Sequence, residues 1–98
     1  MPTYSKTEQF DRDWARLNSD ERATFKRAVK KFIEDLEAGG SFRASLRVKP
    51  MQKWSDVFEM TWEGEDGRAT FQYGEEIIDG EKHIIWRRVG GHVIFGSP

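Results

Sequence analysis

Apolar residues keep a helical spacing up to Leu36 and a spacing of two from Phe42 onwards, so this chain has to set helices against a sheet. Phe10, Trp14 and Leu17 recur at i, i+4 and i+7 and predict a short amphipathic helix starting near Thr7 or Glu8. Asn18-Ser19-Asp20 interrupts it. Ser19 reads as the N-cap of a second helix with acids in its first turn, whose apolar stripe is Phe25, Val29, Phe32, Ile33 and Leu36. Gly39-Gly40 then supplies the left-handed residue that closes a helix.

Beyond that point Phe42, Ala44, Leu46 and Val48 alternate with polar residues and predict a half-buried strand or extended segment ending at Pro50, basic on its outer face. Val57–Trp62 and Arg68–Tyr73 alternate likewise around the turn Gly64-Glu65-Asp66-Gly67 and predict a hairpin. His83–Val89 is apolar on both parities until its end, as in an interior strand covered on both faces. Gly90-Gly91 breaks it and leaves His92-Val93-Ile94-Phe95 as a short tail. The expected fold is α+β: an N-terminal helical hairpin on a small, curved, mostly antiparallel sheet of three to four strands.

Composition sets the limits. The 98 residues suffice for one core, with seven Phe and four Trp to fill it, so residues 1–98 read as a single domain. No apolar run approaches the ~20 residues that span a bilayer. The N-terminus lacks the residue order of a signal peptide and the chain has no Cys, so a cytoplasmic location is expected. Two His and no His-x-x-x-His pair give no zinc site, and no cofactor is expected. A formal charge of −1 and a pI near 6.1 argue against a nucleic-acid binder overall, yet the charge is segregated. Residues 43–53 carry Arg43, Arg47, Lys49 and Lys53 without an acid, and residues 82–92 carry Lys82, Arg87, Arg88, His83 and His92 without one.

Val57-Phe58-Glu59-Met60 with Gly67-Arg68-Ala69-Thr70-Phe71-Gln72-Tyr73 resembles the hairpin of the RelE/ParE toxin superfamily. Arg88-Val89-Gly90-Gly91-His92 with Phe95 is similar to the Arg-x-Gly-x-His…Phe ending of its YafQ-like and HigB-like branches. Phe10–Leu17 resembles its first helix, and Lys49-Pro50-Met51-Gln52 a basic-Pro-apolar-Gln segment before the hairpin. The resemblance covers nearly the whole chain. It implies the toxin of a type II toxin-antitoxin system, cutting messenger RNA on the ribosome by attack of the RNA's own 2′-OH, without a metal, and silenced by a cognate antitoxin.

Such cleavage needs proton transfer at the 2′- and 5′-oxygens and cations on the phosphate. Histidine suits the first role and arginine the second. The resemblance therefore assigns His92 and Arg88 to catalysis and Phe95 to stacking on a base; Arg68 joins the catalytic set from the same strand face, and the basic island offers Arg47, Lys49 and Lys53 for holding the RNA backbone. Thr61 and Thr70 stand where relatives often carry a polar catalytic group, which is why Arg68 is brought in. The acidic pI and these threonines support an alternative, a non-enzymatic binder: a gyrase inhibitor like the ParE branch, or an inactive relative that only binds antitoxin.

Simpler roles compete for several residues. Arg87 and Arg88 alternate in a regular strand and should face opposite sides, with Arg88 toward the site; Arg88 could instead pair with Glu59 or Glu63. Arg47, Lys49 and Lys53 could guard a sheet edge. His83 reads as solvent-facing or capping the edge, Glu63, Glu65 and Asp66 as a solvated turn, and Trp14, Trp62 and Trp86 as core.

Overall fold

Helix starts are set by side-chain caps that leave few amide groups unpaired. Thr7 accepts the Phe10 N–H at 3.1 Å and opens α1 (Glu8–Arg16). Asn18, not Ser19, caps α2 (Ser19–Glu37): its carboxamide accepts the Glu21 N–H while the Glu21 carboxylate accepts the Asn18 N–H. Asn18 wins over Ser19 because only Asn18 has a glutamate three residues on. Gly39, at φ +122°, closes α2 in a conformation that a side chain would disfavour.

The computed structural model describes residues 1–98 and places five strands: β1 (Thr3–Lys6), β2 (Lys49–Pro50), β3 (Phe58–Thr61), β4 (Arg68–Gly74) and β5 (His83–Gly90). They lie in the order β1-β5-β4-β3-β2, with β1 parallel to β5 and the other neighbours antiparallel. The α+β architecture and the β3–β4 hairpin are as expected. β5 is interior, as its pattern predicts. No helix is long and apolar enough to cross a membrane.

Two parts of the sheet differ from expectation. Thr3–Lys6 has one apolar residue and shows no strand pattern, yet it is held beside β5 by His83. That ring is buried rather than solvent-facing, with Nδ1 2.7 Å from Thr3 Oγ1 and Nε2 3.2 Å from Ser5 Oγ. The alternating run from Phe42 is not a strand over most of its length: Ala44–Leu46 forms a short 3-10 helix, Arg47 is left-handed at φ 46°, and only Lys49–Pro50 pairs with β3. Its apolar residues still reach the core, Leu46 buried and Phe42 stacked on Phe32 at 4.8 Å, so one pattern serves two backbones.

One face of the sheet carries the core. Phe32 and Phe71 meet edge to face at 5.0 Å, Phe25 and Trp86 at 5.6 Å, and Phe10 and Trp14 from α1 close on Phe25. Phe32 and Phe71 are fully buried, and truncating Phe32 to Ala would cost about 3–5 kcal/mol.

Candidate functional site

The opposite face is built around a bulge. Thr70 of β4 faces Arg88 of β5 while Phe71 faces Trp86, which leaves Arg87 as an extra residue. Trp86 and Val89, three apart, both point into the core, and Arg87 and Arg88 are both turned toward the C-terminal residues. The expectation that they face opposite sides is therefore corrected: it holds only for an unbroken strand. The side chain of Arg87 donates to Gln72 Oε1 and to the Pro98 main-chain oxygen, at 3.0 Å from Nη2.

Arg88 is tied to neither Glu59 nor Glu63 but to Asp13 on α1. Its Nε and Nη2 donate to the two carboxylate oxygens at 2.7 and 3.1 Å, and its Nη1 to the Ser97 carbonyl at 2.9 Å. Beyond Lys6 the chain leaves the sheet for α1, so the second half of β5 loses its β1 neighbour. Asp13 Oδ2 fills the gap by accepting the Val89 N–H at 3.2 Å. Burial pushes the Asp13 carboxyl up, but the hydrogen bonds from Arg88, Val89 and Gln9 outweigh it and hold the group below the ordinary carboxylate range.

The tail turns into a short 3-10 helix, His92–Gly96, anchored by buried Ile94 while His92 stays exposed. His92 Nδ1 lies 2.7 Å from Asp66 Oδ1, and the His92 N–H donates to the same oxygen at 3.0 Å. Those bonds, the main-chain one foremost, lower the Asp66 pKa, so Asp66 is an ionised acceptor and Nδ1 carries the proton. Nε2 is left free. Gly91 makes the approach possible, since a Cβ there would overlap the Asp66 carboxylate. The Phe95 ring stands edge-on to the imidazole at 5.6 Å. Asp66 is thus an exposed turn residue, as expected, and also a partner of the tail.

The other named residues are distributed as follows. Arg68 is buried and donates to the Gly67 and Glu63 carbonyls at 2.9 and 3.2 Å, tying the hairpin turn, and its charge also lowers the Asp66 pKa. Lys49, Glu59, Thr70 and Arg88 form one cross-strand row, with Lys49 Nζ 3.5 Å from Glu59. The Arg68 and Arg88 rows are two residues apart on β4, about 7 Å. Arg47 and Lys53 are exposed in the loops flanking β2. His92, Asp66 and Arg68 therefore gather at the hairpin end, while Arg88 lies a row away against Asp13. No group of three or more His, Asp and Glu side chains is arranged to hold a metal.

Sequence reasoning missed Asp13, Asp66 and Trp54, which lies across a hollow from Arg87 and Arg88. Asp66 and His92 are 26 positions apart, so no local pattern links them. The Gly90-Gly91 pair was the available signal, as a place where something approaches the backbone closely.

No protein-family model and no curated protein matches the sequence. Solved structures do match. YafQ from E. coli strain BL21(DE3) is 16% identical at a TM-score of 0.63, over 97% of this chain and 98% of that one. The YafQ toxin-antitoxin complex with DinJ, also from E. coli, gives 17% and 0.63, over 94% and 93%. The antitoxin-toxin complex RelB-RelE from Methanococcus jannaschii gives 19% and 0.56, over 95% and 98%. The chain has the fold of the RelE/ParE-superfamily toxins.

Proposed function

We propose that this protein is the toxin of a type II toxin-antitoxin system, an endoribonuclease that cuts messenger RNA on the ribosome and so stops translation. The observation that carries the reading is His92: an exposed imidazole whose Nδ1 is held by ionised Asp66, leaving Nε2 free to exchange a proton. In the proposed step the 2′-oxygen bonds to the adjacent phosphorus as the bond to the 5′-oxygen breaks. The 2′ proton leaves to a base, the 5′-oxygen gains one, and the products end in a 2′,3′-cyclic phosphate and a 5′-OH. No metal ion enters the step.

Arg88 and Arg68 are assigned to the phosphate. Each would exchange a main-chain carbonyl for a phosphate oxygen, Ser97 for Arg88 and Glu63 or Gly67 for Arg68, gaining a charge-assisted bond. Arg47 and Lys53, exposed, and Lys49, once freed from Glu59, would hold the RNA backbone, and Phe95 would stack on a base.

A cognate antitoxin is the proposed protein partner. A groove of about 440 Å³ runs between β1 and the helices, lined by Tyr4, Phe10, Trp14, Val29 and Ile33 and edged by Lys6 and Lys26. An amphipathic helix with an acidic margin would suit it.

The test is expression without antitoxin in a translating extract, with message ends mapped. Cleavage within translated messages is the expected result, and arrested translation over intact messages would reject it. One observation favours a second reading: both arginines already have structural partners, as in a non-enzymatic binder that poisons gyrase or only engages antitoxin. Accumulation of cleaved DNA–gyrase complexes would select the first of these two.

A further inference from the structure

We propose that the loop between β4 and β5 of one copy of this chain docks in the apolar groove of a second copy, and that two copies exchange their loops in a closed pair. The proposal is independent of the nuclease reading.

The loop presents apolar surface that nothing in the molecule covers. Ile77 and Ile78 are 71% and 53% exposed and lie in the segment Glu75-Glu76-Ile77-Ile78-Asp79, whose other residues are all acids. The segment is held in shape. The Glu76 carboxylate accepts the Gly80 N–H at 3.0 Å, and the Ile78 carbonyl accepts the Glu81 N–H at 2.9 Å, around a turn where Gly80 takes φ +85°. An apolar knob that is already ordered loses little freedom on docking.

The groove between β1 and the helices has the matching surface. Its walls of Tyr4, Phe10, Trp14, Val29 and Ile33 enclose about 440 Å³. Lys26 edges it, and Lys30 lies one turn further along α2, exposed like Lys26. Neither lysine is in an ion pair, and neither are Glu75, Glu76 and Asp79, whereas Lys6 on the rim already meets Asp11 at 3.3 Å. Unpaired acids flank the knob and unpaired lysines flank the groove, so one chain carries both halves of an apolar contact with a charged rim. That complementarity singles out a second copy as the occupant.

Loop and groove also share an edge. The Lys82 carbonyl at the end of the loop accepts the Thr3 N–H at 2.9 Å, and Thr3 and Tyr4 line the groove. With knob and groove side by side, a twofold axis between two copies places each loop in the other's groove and closes the assembly at two. Where the antitoxin reading also holds, one groove cannot take both partners, so pairing and silencing compete.

Sedimentation equilibrium of the full chain over a concentration series tests the proposal. The mean mass should rise toward that of two chains and fall back when salt is added, because salt screens the rim. Ile77→Asp/Ile78→Asp should weaken pairing at least ~100-fold, the loss of two buried isoleucines, and Lys26→Glu should weaken it as well. All three positions are exposed, so both variants should melt with the parent. A mixture of the two variants distinguishes this contact from any other. Lys26→Glu keeps an intact loop and the isoleucine variant an intact groove, so the mixture regains one of the two contacts and pairs more tightly than either variant alone. Monomer mass at every concentration would overturn the pairing and leave the groove to a different chain. Undiminished pairing in either variant, or a mixture no better than its components, would overturn the loop-in-groove contact, and a mass that climbs past two chains would overturn the closure.

Discussion

A single oxygen of Asp66, Oδ1, accepts both the main-chain N–H and the ring Nδ1 of His92, at 3.0 and 2.7 Å. The pair joins the hairpin turn to the tail, so the orientation of the imidazole depends on a carboxylate from a separate part of the chain.

If that orientation serves catalysis, His92→Ala lowers the RNA cleavage rate by at least ~100-fold, the lower end for losing a positioned proton-transfer group. Asp66→Asn lowers it less, because the ring remains but its tautomer is no longer fixed. Gly91→Ala reproduces the Asp66 effect, since its methyl group takes the space of the carboxylate. Both His92 and Asp66 are exposed, so all three variants should melt close to the parent. Cleavage rates beside melting curves decide the matter, and full activity in Gly91→Ala would separate Asp66 from the mechanism.

Asp13 has a structural role that can be measured independently of activity. Asp13→Ala leaves the Val89 N–H and the Arg88 guanidinium without their shared acceptor and should cost about 3 kcal/mol. The double variant Asp13→Ala/Arg88→Met removes the stranded charge and should recover part of that loss. Chemical denaturation of the set measures it, and additive losses would show that the two residues do not act as a pair.

Acid should weaken the fold through depressed carboxylates. Hydrogen bonds from the Arg43 side chain, then from its N–H, bring the Asp35 pKa down to about 2, and Asp13 is also lowered. Unfolded aspartates titrate near 3.9, so the unfolded chain takes up these protons first as pH falls. The stability they contribute is fully present above that value and is lost as pH drops toward about 2. Urea midpoints should decline below about pH 4, less steeply in Asp35→Asn. A midpoint unchanged between pH 5 and pH 2 would contradict the assignment.

Thr70 offers the opposite sign. Its hydroxyl is buried without a partner, and Thr70→Val keeps the branched shape while removing the unpaired group. A gain of about 1 kcal/mol is expected, a rise in melting temperature of roughly 4–8 °C for a domain of this size. A lower melting temperature would mean that the hydroxyl is satisfied in solution.

Much of the fold is legible in the sequence because burial is periodic: Phe25, Phe32 and Leu36 on α2, then Met60, Ala69 and Phe71 across the hairpin, all fall on the face their spacing predicts. What is not legible depends on contacts between distant residues. Thr3–Lys6 becomes a strand through the His83 ring, nearly eighty positions away. The bulge did leave a trace, since core residues Trp86 and Val89 are three apart where a strand needs an even step. Asp13 and Asp66 read as ordinary surface acids because nothing local marks the groups that they accept. Of the proposed site, the tail with His92 and Arg88 is marked by sequence, whereas the carboxylates that orient each side chain are not.

The chemistry of the RNA ends tests the central claim most directly. Messages cut in an extract by the purified protein should end in 2′,3′-cyclic phosphate and begin with 5′-OH, and should stay intact with His92→Ala. Cleavage that leaves 5′-phosphates, or that His92→Ala performs at the parent rate, would contradict the account.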